Sequence, residues 1–260
     1  MQKTSRGFSL VEILVAIGII AVLISILVPA VAGARSAARE TVALANQRSV
    51  GQLFETYSAT YRAYPYRSRG VPPPGREQIP ARPGVLFVEW WPEVSIIGTT
   101  DHFQQEWLWP GITLTLASWP ENYKTWVSPG LPSEPPEDPD GRGEIQDAIS
   151  VRYSNSFVAR PQLFTPGAQA ADALLGAVEP GDVLFPAGKV MLFDAHIAYL
   201  PKEPARIGDH YDALTPMCFA DLHAEKHNPT QATPGVANVM RGGMNKTLHC
   251  TPEGVRGRDY

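Results

Sequence analysis

The sequence has no excess of positive charge and very little cysteine. Its 260 residues carry 22 Lys and Arg against 26 Asp and Glu, which gives a formal net charge of −4 at pH 7. A nucleic-acid-binding protein would be expected to show a basic stripe, so nucleic acid is not an expected partner. Two cysteines, Cys218 and Cys250, are too few for a disulfide scaffold, but an even number allows one bridge in an oxidising compartment.

Signatures of catalysis are also missing. The sequence contains no nucleophile elbow, no phosphate-binding loop and no H-E-x-x-H zinc motif. Potential ligands and acid/base groups do recur in the last third, but without diagnostic spacing: Asp194, His196, Asp209, His210, Asp212, Asp221, His223 and His227. These residues favour polar strand ends and turns, and we expect neither an enzyme nor a metal site. A membrane-tethered or secreted hydrolase, or a metal-binding enzyme using this set, is the alternative hypothesis.

A long apolar stretch lies at the N-terminus, from Phe8 to Val28, and its only polar residues are Ser9, Glu12 and Ser25. As a helix it would extend about 31 Å, which is enough to cross a hydrocarbon core of about 30 Å. Basic residues flank the stretch on both sides, so the positive-inside rule does not fix its orientation. The sequence therefore predicts one membrane-spanning helix.

Two simpler interpretations fit part of this stretch. Ala32-Gly33-Ala34 matches the cleavage site of a secretory signal peptide, although the apolar run is longer than such peptides usually have. A plain membrane anchor is the other possibility. Both leave Glu12 unexplained, because a carboxylate near a bilayer is costly and is usually functional.

The apolar pattern continues beyond the membrane-spanning length. Val50, Leu53, Phe54, Tyr57 and Tyr61 lie on one face of an amphipathic helix. A proline at position 65 disfavours helical structure just before it. The pattern predicts one helix over residues 8–64, with a kink or local unwinding at Pro29 and Gly33.

The segment Arg6-Gly7-Phe8-Ser9-Leu10-Val11-Glu12 resembles the prepilin signature of type IV pilins and type II secretion pseudopilins. In that family a short basic leader ends in Gly, a Phe follows, and an acid stands at the fifth position of the mature chain. Gly7, Phe8 and Glu12 match these positions, and Pro29 stands where many members have proline. The resemblance implies that a membrane-embedded peptidase cuts after Gly7 and methylates Phe8.

The resemblance also implies an organisation and a function. We expect a prepilin leader at 1–7, a transmembrane and filament-core helix at 8–34, its amphipathic continuation at 35–64, and a globular pilin-like domain at 65–260. The expected role is that of a structural subunit of a type IV pilus-like or type II secretion pseudopilus filament. Its expected partners are prepilin peptidase/methylase, other pilin or pseudopilin subunits and the inner-membrane assembly platform. The chain would cross the inner membrane once, with a short cytoplasmic N-terminus and an exported C-terminal domain that later joins a periplasmic or extracellular filament.

Glu12 is the residue to which the sequence assigns an assembly role. After cleavage, Phe8 carries a methylated α-amine, a cation at neutral pH because its unperturbed pKa is about 8. The amine of the same chain lies about 6 Å away along the helix axis, so we expect Glu12 to pair with the amine of a neighbouring subunit. Recognition by the peptidase or methylase is the alternative role of this acid.

The remaining sequence predicts an α+β fold, in which the amphipathic half of the helix packs on an antiparallel sheet. Expected strands lie at 85–98 (one or two), 151–159, 189–200 and 217–227, with a short helix at 169–175. Pro-rich loops are expected at 64–84 and 128–147. Residues 101–127 hold most of the tryptophans, which favours core packing over contact with a carbohydrate or a partner.

Three expectations depend on the family resemblance. If the helix is oriented as in the family, Cys218 and Cys250 are exported and are predicted to form a disulfide. Major pseudopilins bind calcium, but Asp138-Pro139-Asp140-Gly141 with Glu144 lacks the full spacing of a calcium loop, so we expect a solvated loop without a cofactor, and calcium is the alternative. Phe219-Ala220-Asp221-Leu222 resembles a C-terminal "FADG" element of Planctomycete-type pilin-like proteins, with Leu222 in place of Gly. We expect Asp221 to open a turn there and to accept bonds from backbone N–H groups.

Overall fold

The computed structural model describes residues 9–67, 102–113, 115–117, 119–131, 149–200, 202, 204–207 and 210–260. It describes only the backbone of 86–89, 97–100, 119–120, 206–207 and 210. Within these ranges the predicted α+β architecture is confirmed, because one long N-terminal helix is followed by a four-stranded antiparallel sheet.

Helix α1 runs from Leu10 to Tyr61 and includes Pro29. It ends slightly before the predicted Tyr64, because Arg62 adopts a left-handed conformation with φ of 59° and caps the helix. The chain turns there, and the Tyr64 N–H donates to the carbonyl of Val178 at 2.9 Å. The predicted helix is therefore observed over Leu10–Tyr61, with a C-terminal boundary that depends on a tertiary contact.

The main sheet has the order β3-β4-β7-β8 and every neighbouring pair is antiparallel. Its strands are β3 (Val151–Tyr153), β4 (Val190–Asp194), β7 (Thr215–Phe219) and β8 (Ala224–His227). Two antiparallel pairs lie outside this sheet: β1 (Leu86–Glu89) with β2 (Ile97–Thr100), and β5 (Arg206–Ile207) with β6 (His210–Tyr211).

Strand β4 is buried along its whole length because both faces of the sheet are covered. A register shift lies between Val190 and Leu192 where β4 pairs with β7. As a result, Met191 and Leu192 both belong to the core under helix α1, whereas Val190 and Phe193 belong to a second core under the C-terminal segment. This bulge interrupts the two-residue alternation and allows a short strand to serve two apolar layers.

The second half of α1 packs on β7, β4 and β8. Its buried residues are Ala43, Gln47, Val50, Gly51, Phe54 and Ser58. Gly51 allows the closest approach, because a Cβ atom at this position would lie 2.6 Å from the Cys218 Sγ of β7. The amphipathic face predicted from Val50 and Phe54 is thus the face that covers the sheet.

Two short helices follow, of which α2 (Gln105–Ile112) packs against β3 and α3 (Trp119–Trp126) packs against α1. The Trp109 Nε1–H donates to the carbonyl of Val151 at 3.0 Å, which satisfies an edge group of β3. Trp109 and Trp126 are buried and their rings meet edge to face at 5.0 Å. These two tryptophans confirm the core role predicted for the aromatic cluster.

Four predicted elements differ from the observed ones. The predicted strand 189–200 ends at Asp194, and residues 195–200 form turns and irregular structure. The predicted strand 217–227 is a hairpin, because Leu222 has a φ of 69° and reverses the chain between β7 and β8. The prediction for Asp221 is confirmed, since its Oδ1 accepts from the His223 N–H at 3.1 Å. The predicted strand 151–159 becomes a 3₁₀ turn after Tyr153, and the helix predicted at 169–175 is only a 3₁₀ turn at Asp172–Leu174.

The predicted disulfide between Cys218 and Cys250 is not formed, and both residues are buried free thiols. Cys218 Sγ lies against Gly51 of α1 and Cys250 Sγ donates to the Met244 carbonyl at 3.6 Å, so each sulfur has its own neighbours. Burial raises the pKa of Cys218 to about 12 and that of Cys250 to about 11. Burial in separate surroundings therefore leaves each thiol without a cysteine partner.

Candidate functional site

The first half of α1 is an exposed apolar surface. Every residue from 10 to 34 is exposed, and the stretch is long and apolar enough to cross a membrane. Apolar area of this extent on a helix requires lipid or another apolar partner. The N-terminal helix therefore indicates membrane anchoring.

The helix begins with a capping box formed by Ser9 and Glu12. The Ser9 Oγ accepts from the Glu12 N–H at 3.2 Å, and the Glu12 Oε2 accepts from the Ser9 N–H at 2.8 Å. The two side chains satisfy backbone donors that would otherwise have no partner in an apolar environment. The S-x-x-E spacing was visible in the sequence, so this contact could have been predicted.

The capping box gives Glu12 a partner within its own chain. Its carboxylate bends back by one turn towards the N-terminus and contacts the residue next to Phe8. Gly7 and Phe8 lie outside the described residues. An amine from a neighbouring subunit would thus have to compete with this local contact or add to it.

The globular part holds the helix from Ser36 onwards. The Ser36 Oγ donates to the Tyr199 carbonyl at 3.1 Å, and Glu40 forms an ion pair with Lys226 of β8 at 2.5 Å. Further along, the Asn46 Nδ2 donates to the Lys124 carbonyl at 3.3 Å. These contacts divide α1 into a first half without contacts to the described domain and a second half that is part of its core.

The polar residues considered for catalysis are dispersed. Asp194 is buried at the end of β4, where its Oδ1 accepts from the His196 N–H at 3.1 Å. Asp212 is exposed and accepts from the Asn228 Nδ2 at 2.8 Å. Asp209 and the side chain of His210 lie outside the described residues. The described members of the set are therefore not assembled into one site.

Among the members that the structure describes, those of the β7–β8 hairpin lie together. His223 and His227 both contact the Glu225 Oε1, at 3.4 and 2.6 Å, and the His223 Nδ1 also contacts the Asp221 Oδ1 at 2.5 Å. The hydrogen bonds from the histidines lower the pKa of Glu225. Within the described part of the chain, no group of three or more His, Cys, Asp or Glu side chains is arranged to hold a metal ion. The segment 138–144, considered for calcium, lies outside those residues.

Asp194 has the most perturbed acid environment of this set. Burial raises the pKa of its carboxyl to about 6, and the N–H of His196 offsets only part of this effect. Perturbed acids can mark active sites. Asp194 lies in the interior, however, and its surroundings are those of a buried strand end.

A second charged cluster was missed from the sequence. Glu106 of α2 is largely buried and contacts Asn155 Nδ2 at 3.0 Å, Arg241 Nη1 at 3.2 Å, His249 Nε2 at 3.5 Å and Lys246 Nζ at 3.7 Å. The His249 Nδ1 accepts from the Asn155 N–H at 3.2 Å, so the imidazole proton lies on Nε2 and faces Glu106. The cluster fixes the 238–250 segment to α2. No sequence spacing pointed to it because its members are far apart in the chain.

Comparison with known proteins agrees with the N-terminal features. The family model described as the prokaryotic N-terminal methylation motif matches residues 2–28, and this motif is the type IV pilin and pseudopilin signature. No curated protein and no solved structure matches the chain. The match covers only the N-terminal segment, and it supports a pilin-like or pseudopilin subunit with a prepilin leader.

Proposed function

We propose that this chain, which carries the prokaryotic N-terminal methylation motif, is a subunit of a type IV pilus-like or type II secretion pseudopilus filament. The observation that carries the proposal is the division of α1. Residues 10–34 are exposed and apolar, whereas the helix from Ser36 onwards is held by the domain. A helix of this kind can leave the bilayer for an equally apolar environment among neighbouring helices without unfolding the domain.

Cleavage of the leader would create the positive charge with which Glu12 is proposed to pair. Cleavage after Gly7 and methylation would leave Phe8 as a cationic N-terminus. The inner-membrane assembly platform would then extract subunits from a single-pass orientation, with the domain on the exported side. Transport of proteins by a type II secretion filament is one of the activities that such a subunit would serve.

Glu12 is proposed to couple assembly to processing. In the isolated chain its carboxylate caps the Ser9 N–H at 2.8 Å. A carboxylate has acceptor positions for more than one donor, so it can keep this cap and also accept the methylated amine of an adjacent subunit. An ion pair in the low dielectric of a helix bundle is stronger than in water, and it would favour one axial register between subunits.

Two substitutions separate the charge from the cap. Glu12→Gln keeps an acceptor for the Ser9 N–H and removes the charge, whereas Glu12→Leu removes both. We expect both variants to be cleaved after Gly7 and to remain in the inner membrane, and both to be lost from filaments when co-expressed with wild-type subunits. The measurement is the ratio of variant to wild-type chain in sheared filaments, by mass spectrometry.

The cleavage and incorporation of the two Glu12 variants distinguish three roles of this residue: ion pair, helix cap and recognition element. If Glu12→Gln enters filaments normally and Glu12→Leu does not, the cap rather than the charge matters, and the proposed ion pair is wrong. If both variants remain uncleaved, Glu12 is a recognition element for the peptidase. Ser9→Ala serves as the matched control, because it removes one bond of the capping box and leaves the charge in place.

A further inference from the structure

A lysine and an aspartate are buried together where the C-terminal segment meets the sheet. Lys189 directly precedes β4, and its Nζ lies 3.0 Å from the Asp259 Oδ2, with both side chains fully inaccessible to solvent. The backbone fixes the aspartate in place, because the Asp259 N–H donates to the Gly188 carbonyl and the Thr233 N–H donates to the Asp259 carbonyl, each at 2.8 Å. The amine and the carboxyl are thus held in contact by the fold itself.

Burial makes the charged form of the Lys189 amine unfavourable. Desolvation lowers the pKa of Lys189 despite the opposing attraction of Asp259. Transfer of a proton from the ammonium to the carboxylate would leave a neutral amine and a neutral carboxylic acid, which are less costly to bury than two ions. A neutral, desolvated lysine amine is also the nucleophilic form of this side chain.

Two further groups contact the carboxyl in positions suited to acyl chemistry. The Thr251 Oγ1 lies 2.5 Å from the Lys189 Nζ and 2.6 Å from the Asp259 Oδ1, so its hydroxyl connects the amine to one carboxyl oxygen. The Val190 N–H donates to the other oxygen, Oδ2, at 2.9 Å. The first contact can relay a proton, and the second can stabilise negative charge that develops on Oδ2.

We propose that Lys189 and Asp259 condense to form an intramolecular isopeptide bond. After the proton transfer, the Lys189 Nζ attacks Cγ of the Asp259 carboxylic acid and gives a tetrahedral intermediate whose Oδ2 is held by the Val190 N–H. A proton from Nζ passes through the Thr251 hydroxyl to Oδ1. The Cγ–Oδ1 bond then breaks, one water leaves, and the Nζ–Cγ amide remains with Oδ2 as its carbonyl oxygen.

The site favours this step in two ways. The fold holds the amine and the carboxyl in contact, so the reaction needs no diffusional encounter. Well-oriented intramolecular reactions reach effective concentrations of about 10⁵–10⁸ M. Lys189, Thr251 and Asp259 are all buried, so the product amide is not exposed to hydrolysis by bulk water. The bond would enclose β4, β7 and β8 in one covalent loop and attach the C-terminal segment to the sheet without requiring an oxidant.

A second lysine provides an internal control. Lys226 and Glu40 are closer together, at 2.5 Å, but their side chains are 28% and 36% exposed. Water can solvate both ions there, so this pair is expected to remain a salt bridge. Proximity alone would predict a cross-link at Lys226, whereas the proposed mechanism predicts one only at Lys189.

The test is mass spectrometry of the full chain, purified in detergent and then denatured. We expect an intact mass lower than that of the linear chain by one water, and peptide mapping should find a branched peptide that joins Lys189 to Asp259. Lys189→Arg and Asp259→Ala should restore the linear mass, and Lys226→Arg should retain the loss of water. Thr251→Val should decrease the cross-linked fraction.

Peptide mapping of the wild-type chain decides the question even if a variant fails to fold. Recovery of Lys189 and Asp259 only in linear peptides would overturn the proposal. A branched peptide at Lys226 instead of Lys189 would also contradict it. The result does not depend on filament assembly, so this inference and the proposed function can fail separately.

Discussion

The first half of helix α1 is apolar on all sides and exposed, whereas the second half is apolar on one face, and that face packs against the domain. Residues 10–34 are all exposed, whereas the second half contributes Val50, Gly51 and Phe54 to the core of the domain. Phe54 is fully buried and meets the rings of Trp109 and Tyr153 edge to face, at 5.3 and 4.7 Å. One continuous helix thus has an intermolecular half and an intramolecular half.

Contacts within a single chain account for the stability of the second half of α1, but they do not account for the apolar surface of the first half. The second half is stabilised by contacts that the chain makes with itself. The first half has no such contacts among the described residues, and its apolar surface is satisfied only by lipid or by other helices. Substitutions in the two halves should therefore affect different measurements.

Phe54→Ala should produce the largest loss of stability. Removing a buried phenylalanine typically costs about 3–5 kcal/mol in the free energy of unfolding. Urea unfolding of the detergent-solubilised chain, followed by near-UV circular dichroism, measures this loss. Leu23→Ala is the matched control, because Leu23 is exposed in the first half and should leave unfolding unchanged while it decreases incorporation into filaments. Equal destabilisation by both substitutions would remove the distinction between the halves.

Asp194→Asn should stabilise the domain at neutral pH. The folded-state pKa of Asp194 is raised from 3.8 to about 6, so the native state binds a proton more tightly than the unfolded state. Stability from this site is complete below about pH 4 and is lost as the pH rises through 6, a difference of about 3 kcal/mol. The asparagine variant should lose this pH dependence and unfold at higher urea concentration at pH 7.5. An unchanged pH profile would show that Asp194 does not titrate in this range.

Gly51→Ala tests the closest contact between α1 and the sheet. Its new Cβ would lie 2.6 Å from the Cys218 Sγ, and such overpacking typically costs about 1–3 kcal/mol. Gly18→Ala, in the first half of the same helix, has no atom within 4 Å of its new Cβ and should not destabilise the domain. A Cys218→Ala background should relieve the clash, and failure to do so would place the strain elsewhere.

The parts of the fold that were predicted from the sequence depend on local patterns. The i, i+3, i+4 spacing around Val50 and Phe54 predicted both the helix and its buried face. The apolar run at Val190–Phe193 predicted β4. The turn at Asp221 could be expected because a short side-chain acceptor can bond to a backbone N–H two residues later. Each of these signals lies within a few residues of the element that it predicts.

The features that were missed depend on residues far apart in the chain. Nothing in the sequence around Lys189 or Glu106 reveals that Asp259 or Arg241 packs against it. The disulfide prediction failed for the same reason, because a count of two cysteines carries no information about where their side chains point. The capping box is the exception, since Ser9 and Glu12 had the required spacing, but Glu12 was interpreted as an assembly residue or a recognition element and not as a helix cap.

The smallest effect on stability is expected for the two cysteines, because they do not form a disulfide. Cys218 and Cys250 are free in the structure, so two thiols should be labelled in unfolded, unreduced protein. Addition of a reductant should leave the unfolding midpoint unchanged. Detection of no free thiol would mean that the two segments rearrange to bring the sulfurs together.

The central claim is that the first half of α1 is a processed, filament-forming helix, and the mass of the N-terminal peptide tests it most directly. Protein isolated from its native host should be digested and its N-terminal peptide sequenced by tandem mass spectrometry. The account predicts a peptide that begins at Phe8 and carries one methyl group on its α-amine. A peptide that begins at Arg35, or an unprocessed leader, would contradict it.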